Sequence, residues 1–465
     1  MAPAPWASLP AQDTLFVLVT GANSGVGLGI CERTIDTFLT ERPLTSHLVL
    51  LPTTRSARKA AETVASLRQH VLHAASTNKS LKQRGVRELN ETLGRVHVAS
   101  VQLDLCDLST VRSASEQLVN GTLYFDDIRA EVKIPRLDAV IFNAGIGGWS
   151  HVSWLAFAWD IVTEGWIQAT TRPTSKRSVA GLTVNPLPKA KSEDVPALGL
   201  VFCANVLGHY LFAHYLLPLL SRKDEGVAPG RIIWQSSVDP SLKHFDVNDI
   251  QGLKRPAAYE SSKFLTDVLA LTADLPSVRP RSAAYFKSDS KDPATAQGQR
   301  PNIYLAHPGI VATTMFPLHF MLMWGYVLGT TLSRWLGSPW HPVTPYKAGM
   351  ATTWLALASQ ETLDAENAQQ SKWGSCTDFW GNTYVKKTEV DGWGWEGRVE
   401  SAQDIAEQDR TVRRVLRKSV GRKARPEQLT EEKRAEIEEI GAKCWEQMEK
   451  LREEWEERLI ILAEK

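Results

Sequence analysis

The 465-residue chain lacks most of the features that would assign it to several common classes. Its 53 lysines and arginines nearly cancel its 52 aspartates and glutamates, so no net field recruits nucleic acid. Five cysteines (Cys31, Cys106, Cys203, Cys376, Cys444) are widely scattered with no Cys-x-x-Cys pair. That spacing argues against a disulfide framework and against a metal site, and it suits a reducing compartment. The stretch Met1 to Gln12 has no basic region leading into an apolar core, so no secretory signal is expected. The sequons at Asn78, Asn90 and Asn120 are then expected to be silent. No internal repeat is present, and the length suits one enlarged domain or two ordinary ones.

What is present begins with Leu15-Phe16-Val17-Leu18-Val19, a continuous apolar run of the length of a buried parallel strand. It delivers Thr20-Gly21-Ala22-Asn23-Ser24-Gly25-Val26-Gly27, with a helix expected from near Leu28. Glycines at Gly21, Gly25 and Gly27 let a turn tighten and let backbone approach a pyrophosphate held by the helix N-terminus, with Asn23, Ser24 and Val26 completing the cradle. A second run, His47 to Leu51, should end beside an adenosine ribose, where an acid usually selects NAD. Here Pro52-Thr53-Thr54-Arg55-Ser56 follows, and no carboxylate occurs until Glu62. Thr54 and Arg55 therefore point to NADP(H), with Arg55 pairing the 2′-phosphate.

Val96 to Leu103 is expected as a third strand, with Asp104 at its end placed to meet the adenine edge. Leu137 to Phe142 is expected as a fourth, ending in Asn143-Ala144-Gly145. Strands alternating with helical stretches imply an α/β fold, a doubly wound parallel sheet whose ligands lie beyond the carboxyl ends of the strands.

Tyr259 and Lys263 lie four apart, one helical turn, on one face. An ammonium there can hold a phenol nearer to ionisation and make it a usable proton donor, although such a pair alone is equally a solvated helical contact. Ser236-Ser237 ends another strand upstream, and either serine could serve.

In chain order these residues resemble the short-chain dehydrogenase/reductase superfamily, from about Thr14 to Thr314. The Thr-Gly-x-x-x-Gly-x-Gly turn, Asn143-Ala144-Gly145, Asn205, Ser237, Tyr259, Lys263 and Pro308-Gly309-Ile310-Val311-Ala312-Thr313 match its motifs. The resemblance implies that Tyr259 donates a proton to a ketone, its pKa lowered by Lys263 and the oxidised cofactor. It further implies that Ser237 orients the carbonyl, that Lys263 also binds ribose and that Asn205 holds a relay water. Asn143, Gly145, Val311 and Thr313 join the cofactor contacts. Two departures stand out. Ser237 precedes Tyr259 by 22 positions, nearly double the family interval, and the stretch from Gly145 to Asn205 is enlarged.

A narrower resemblance is to the fungal 3-ketosteroid reductases of ergosterol biosynthesis. It rests on the long serine–tyrosine interval, on the apolar segment after Thr314, and on Trp373 to Asn382 followed by Glu389-Val390-Asp391-Gly392-Trp393-Gly394-Trp395. It implies NADPH-dependent reduction of a sterol 3-ketone to the 3β-alcohol. The implied setting is the cytosolic face of the endoplasmic reticulum or a lipid droplet, with other enzymes of sterol C-4 demethylation as possible partners. A fatty-acyl or polyketide ketone, or a silent scaffold with the same fold, are the alternatives.

The expected organisation is an arm (1–12), a reductase domain (13–314) carrying an insert (146–200), an apolar segment (315–340), a C-terminal part of the catalytic region (341–400) and a charged helical tail (401–465). Met315 to Leu332 is uncharged and broken by Pro317, so it is either a monotopic or re-entrant membrane element or a buried substrate lid. Trp149 to Trp166 is a second greasy surface or the lid's buried partner. The polar stretches Thr170 to Pro196 and Lys287 to Arg300 are expected as loops. Arg410 to Arg425 is basic and could meet anionic headgroups. Pro426 to Lys465 is expected as one long helix, whose narrow stripe of Ile437, Ile440, Cys444, Met448, Leu451, Trp455, Leu459 and Leu462 packs either on the reductase or on a partner.

Overall fold

The period of two along the first strand sorts its side chains into two layers. Phe16 and Leu18 enter one apolar cluster, and Val17 and Val19 enter another on the opposite face of the sheet. A strand buried on both faces needs cover on both, which helices supply. The computed structural model describes residues 4–85, 88–188, 195–221, 227–287, 299–313, 320–399, 401 and 429–463.

The strands used here are β1 (Thr14–Val19), β2 (His47–Thr54), β3 (Val96–Val98), β4 (Ala139–Phe142), β5 (Arg231–Gln235), β6 (Asn302–His307), β7 (Lys372–Thr377) and β8 (Thr383–Thr388). They lie in the order β3-β2-β1-β4-β5-β6-β7-β8, parallel except for β8, which returns antiparallel beside β7. The order reverses between β1 and β4, the crevice where doubly wound sheets bind ligands. The expected third strand breaks after Val98 and resumes at Val101–Gln102. Its neighbour at the break is Pro52, which has no N–H for the ladder, and Ser100 Oγ instead donates to the Pro52 carbonyl at 2.9 Å.

Helix α1 (Gly25–Glu41) starts at Gly25, one turn earlier than the apolar pattern suggests. Helix α2 (Ala57–Thr77) is N-capped by Ser56, which accepts from Lys59 N–H. The insert folds as a small hairpin, Trp149–Val152 against Lys176–Ser178, enclosing α3 (Trp154–Glu164) and α4 (Trp166–Thr171). Thr170 to Pro196 is therefore not all loop: its lysine-bearing strand is held by the hairpin's backbone ladder, and Thr183–Val184 forms another short strand. Helix α5 (Gly208–Tyr215) and helix α6 (Ala258–Thr272) line the face covered by the first cluster. Helix α7 (Phe320–Trp335) follows the Pro308 loop.

Strands β7 and β8, within 341–400, complete the same sheet. The tail helix α8 (Glu431–Ala463) packs back onto the reductase, burying Ile437, Cys444, Trp445, Met448, Trp455 and Leu459. Gly441 lies so close to α6 that an added Cβ would sit 2.5 Å from Thr272 Oγ1. Tyr210 donates to Glu449 at 2.6 Å, and Arg452 bonds both Glu449 and Glu456, so buried polar groups fix the docking. The basic stretch Arg410 to Arg425, most of Lys287 to Arg300 and Met315 to His319 lie outside the described residues.

Candidate active site

A hollow of about 560 Å³ opens at the β1–β4 crevice, lined by the glycine turn, Thr54, Arg55, Lys59, Asp104, Asn143, Gly145, Tyr259, Lys263 and Thr313. Gly21 and Gly25 adopt φ of +66° and +55°, a region open to glycine at little cost. At Gly27 a Cβ would stand 2.3 Å from the Gly21 carbonyl oxygen and 2.6 Å from Asn143 Nδ2, so nothing larger fits. Asn143 Nδ2 donates to the Thr20 carbonyl at 3.1 Å, tying the end of β4 to the turn after β1. Arg55 is exposed at the rim, while Glu62, the first carboxylate after β2, is paired with Arg58 at 2.7 Å. Asp104 Oδ1 accepts the Cys106 N–H at 3.0 Å. The cradle fits a dinucleotide pyrophosphate at α1, and the cationic rim fits a 2′-phosphate.

The loop Pro308–Thr313 is stitched to the chain beyond α7: Ile310 N–H donates to the Trp340 carbonyl at 2.7 Å, and Val311 bridges Val343. This brings Thr313 against Gly25, where a Cβ would meet Thr313 Cγ2 at 3.7 Å. Both walls of the hollow are thereby joined.

Tyr259 and Lys263 are buried on α6. Lys263 Nζ donates to the Gln235 carbonyl at 2.7 Å and lies 5.9 Å from the Tyr259 ring centre. Ser237 lines the same cavity as Tyr259, whereas Ser236 Oγ donates to Asp267 Oδ1 at 2.5 Å. Ser237 is thus the serine that meets the phenol. The expectation that Lys263 depresses the Tyr259 pKa is corrected. Burial pushes the phenol up to about 12, against the opposing pull of the nearby Ser237 hydroxyl, and Glu260 adds to the rise. Lys263 itself is pushed down to about 8 by burial, with Asp267 supporting its charge and Lys372 opposing it.

Asn205 sits in a π-helical turn, Cys203–Leu207. Its Oδ1 accepts the Ile146 N–H at 2.8 Å, and its Nδ2 donates to the Ile146 carbonyl at 3.0 Å and to Ser262 Oγ at 3.1 Å. The side-chain amide therefore braces the Gly145–Ile146 wall, with both its donors engaged. Gly145 makes room for it: a Cβ there would stand 2.8 Å from Asn205 Oδ1.

Beyond Ser237 and Tyr259 a second cavity of about 310 Å³ runs between the insert and α7, lined by Trp149, Phe157, Trp166, Ile310, Leu322 and Tyr326 among others. Trp166 Nε1 donates to the Gly329 carbonyl at 3.2 Å, and Thr170 bonds Ser333 at 2.7 Å, so the insert and α7 close on one another. The two greasy segments are each partly buried against one another and partly exposed. One face of α7 lines the cavity; the other exposes Trp324, Leu328, Leu332 and Trp335, with Trp324 75% accessible. The insert packs a half-buried Trp166 against α7 while exposing Trp154, Leu155, Trp159 and Val162. No helix among the described residues is long and apolar enough to cross a membrane.

Two residues at this site are not assigned to it by the sequence, which shows Trp149 only as part of a greasy segment. Trp149 packs on Tyr259 with ring centres 4.7 Å apart, and Lys176, buried beside both rings, pairs with Asp239 and lies near Glu260. Lys176 sits in a polar, proline-bearing stretch whose composition suggests only a loop.

Among known proteins, the 3-keto-steroid reductase of Gibberella zeae is 45% identical over 462 residues, covering 98% of this chain and 97% of that protein. That of Aspergillus fumigatus is 39% identical over 457 residues, covering 96% and 95%. The Saccharomyces cerevisiae enzyme of the same name is 29% identical, covering 81% of this chain and 90% of its own. A 3-oxoacyl-[acyl-carrier protein] reductase structure from Brucella melitensis overlays only loosely, at 17% identity and a TM-score of 0.37, covering 74% of this chain and 89% of that one. No protein-family model matches the chain. Identity to the fungal enzymes over nearly the full length of both chains shows that the chain belongs to the 3-keto-steroid reductases.

Proposed function

We propose that this protein reduces the 3-keto group of a C-4-demethylated sterol intermediate to the 3β-hydroxyl, using NADPH, in ergosterol biosynthesis. One observation carries the reading: the half-buried Ser237 and the buried Tyr259 stand together where a dinucleotide cradle meets an apolar cavity. Reduction adds a hydride to the carbonyl carbon and a proton to its oxygen. Bound NADPH supplies the hydride, and the protein supplies the proton, the geometry and the electrostatics.

Tyr259 donates its phenolic proton to the carbonyl oxygen. A pKa pushed up to about 12 keeps the phenol protonated at working pH, as a general acid for this direction requires. Ser237 orients the same oxygen and stabilises the negative charge that develops on it. Lys263, with one hydrogen bond to Gln235, retains donors for ribose hydroxyls and for returning a proton to Tyr259. Asn205 holds the cradle wall, and its remaining oxygen lone pair is available to a relay water. Gly21, Asn23, Ser24, Gly25, Val26 and Gly27 hold the pyrophosphate, Asn143 and Gly145 shape the wall, and Val311 and Thr313 close the nicotinamide side. Asp104 meets the adenine edge, while Thr54 and Arg55 hold the 2′-phosphate.

The substrate is apolar, and so is the outer surface beside its cavity. The exposed stripe on α7 continues through Trp335 to Phe379 and Trp380, the last 81% accessible. This surface rests on lipid at the cytosolic face of the endoplasmic reticulum or on a droplet, where other sterol C-4 demethylation enzymes act. The test is purified protein with NADPH against a panel of sterol, fatty-acyl and polyketide ketones. Preference for the 3-keto sterol is expected; preference for an acyl ketone would replace the substrate, and inactivity on every ketone would favour a scaffold.

A further inference from the structure

The two departures from the reductase pattern, the insert and the lengthened serine–tyrosine interval, meet at one ammonium. Lys176 stands on the second strand of the insert hairpin with its side chain 8% exposed. Its Nζ hydrogen-bonds Asp239, two residues beyond Ser237, and lies 3.8 Å from Glu260, the neighbour of Tyr259 on α6. The Asp239 N–H donates in turn to Ser237 Oγ at 3.3 Å. The same Nζ lies 4.9 Å from the Trp149 ring centre and 5.8 Å from that of Tyr259.

One cation thus takes a carboxylate from each segment that carries a reacting hydroxyl, and it does so inside the protein, where a paired charge is costly to disrupt. Lys176 and Asp239 also form the partition between the apolar cavity and a polar hollow of about 460 Å³ lined by Arg172, Lys243 and His244. We propose that Lys176 is a positioning residue for ketone reduction, an insert-borne clamp that sets the spacing of the Ser237 hydroxyl and the Tyr259 phenol at the inner end of the substrate cavity. The proposal rests on the reductase reading above. Lys176 acts through Asp239 and Glu260, so its removal loosens the geometry of both hydroxyls without removing either.

The test uses full-length protein and any ketone that the parent reduces, so failure of the sterol assignment is seen separately, in the parent. Lys176→Met is expected to lower kcat about 10- to 100-fold, the scale of a small misplacement of reacting groups, with NADPH affinity changed less than about threefold. Lys176→Arg should restore kcat to within about fivefold of the parent, because it keeps a cation that spans both carboxylates. In a Ser237→Ala background the Lys176→Met change should cost less than about threefold, because with one of the two hydroxyls gone there is no spacing left for it to set. A kcat for Lys176→Met within about twofold of the parent overturns the proposal. So does an equal loss with and without Ser237, or a loss confined to KM, which would make Lys176 a wall of the cavity and nothing more. If Lys176→Met does not fold, Glu260→Gln, which leaves the Lys176–Asp239 bond intact, carries the same cycle and the same criteria.

Discussion

The cofactor half and the substrate half of this molecule are built on different kinds of constraint. In the first, backbone does the recognising. Gly27 tolerates no Cβ against the Gly21 carbonyl, and Asn143 ties two strand ends by donating its side-chain amide to the Thr20 carbonyl. Such demands fall on single positions and leave a readable string of residues. In the second, side chains from distant segments meet: Trp149 and Lys176 come from the insert, Asp239 from the loop after β5, and Tyr326 from α7. No spacing rule connects them. The cofactor half can therefore be read position by position, and the substrate half only once the chain is folded.

The comparison breaks first, and furthest, at Tyr259, where the halves join. Tyr259→Phe keeps the ring against Trp149 and removes the proton donor. Ketone reduction is expected to fall about 10² to 10⁴-fold, with NADPH affinity within about threefold of the parent. Steady-state kinetics and a fluorescence titration of NADPH check this. Turnover within tenfold of the parent would take Tyr259 out of the mechanism.

Within the cofactor half, Arg55→Ala should weaken NADPH by about 1.5–3 kcal/mol while leaving NADH nearly unchanged, because only the former offers a 2′-phosphate. Equal losses for the two would mean that the rim cation does not read the phosphate.

A pH profile sharpens the boundary from the other side. Lys263 and Lys176 are each held down to about 8, so their positive charges are lost as pH rises through that value. Reduction should decline above about pH 8, more steeply than one proton allows. Asp267 supports the charge on Lys263, and Lys372 opposes it. Asp267→Asn should therefore move the Lys263 part of the decline to lower pH and leave the Lys176 part in place. A limb that stays put would show that Lys263 ionisation does not govern turnover.

The order of legibility follows from this contrast. The sheet was readable because β1, β2 and β4 are apolar on both faces, and the glycine turn because only glycine satisfies it. The early break in the third strand was hidden, since its cause, Pro52, lies on the neighbouring strand. The choice between Ser236 and Ser237 needed coordinates: adjacent residues on a strand point oppositely, and only the structure shows that Asp267 waits behind one and Tyr259 before the other. The docking of the tail helix was equally hidden, because an apolar stripe looks the same whether it faces its own domain or another. Lys176 was the least visible, a lysine in a polar stretch whose partners lie 63 and 84 positions away.

The smallest expected effect tests the outer surface of the substrate half. Helix α7 divides its faces: Leu322, Gly325, Tyr326, Gly329 and Thr330 line the cavity, while Trp324 and Leu328 face outward. If the outward face meets lipid, Trp324→Asp with Leu328→Asp should lower binding to phosphatidylcholine vesicles several-fold. The two changes lie at an interface and not at a bilayer centre, so their joint cost stays below the about 2.5–3.5 kcal/mol of a single charge at mid-membrane. Cavity-lining residues are untouched, so turnover of a detergent-dispersed ketone should stay within about twofold of the parent, while turnover of a vesicle-embedded sterol ketone falls with the binding. Unchanged vesicle binding would remove α7 from the lipid contact and turn attention to Trp154, Leu155 and Trp159 on the insert. An equal loss on dispersed and embedded substrate would instead make the whole helix a lid, its outward side chains needed to hold the cavity closed.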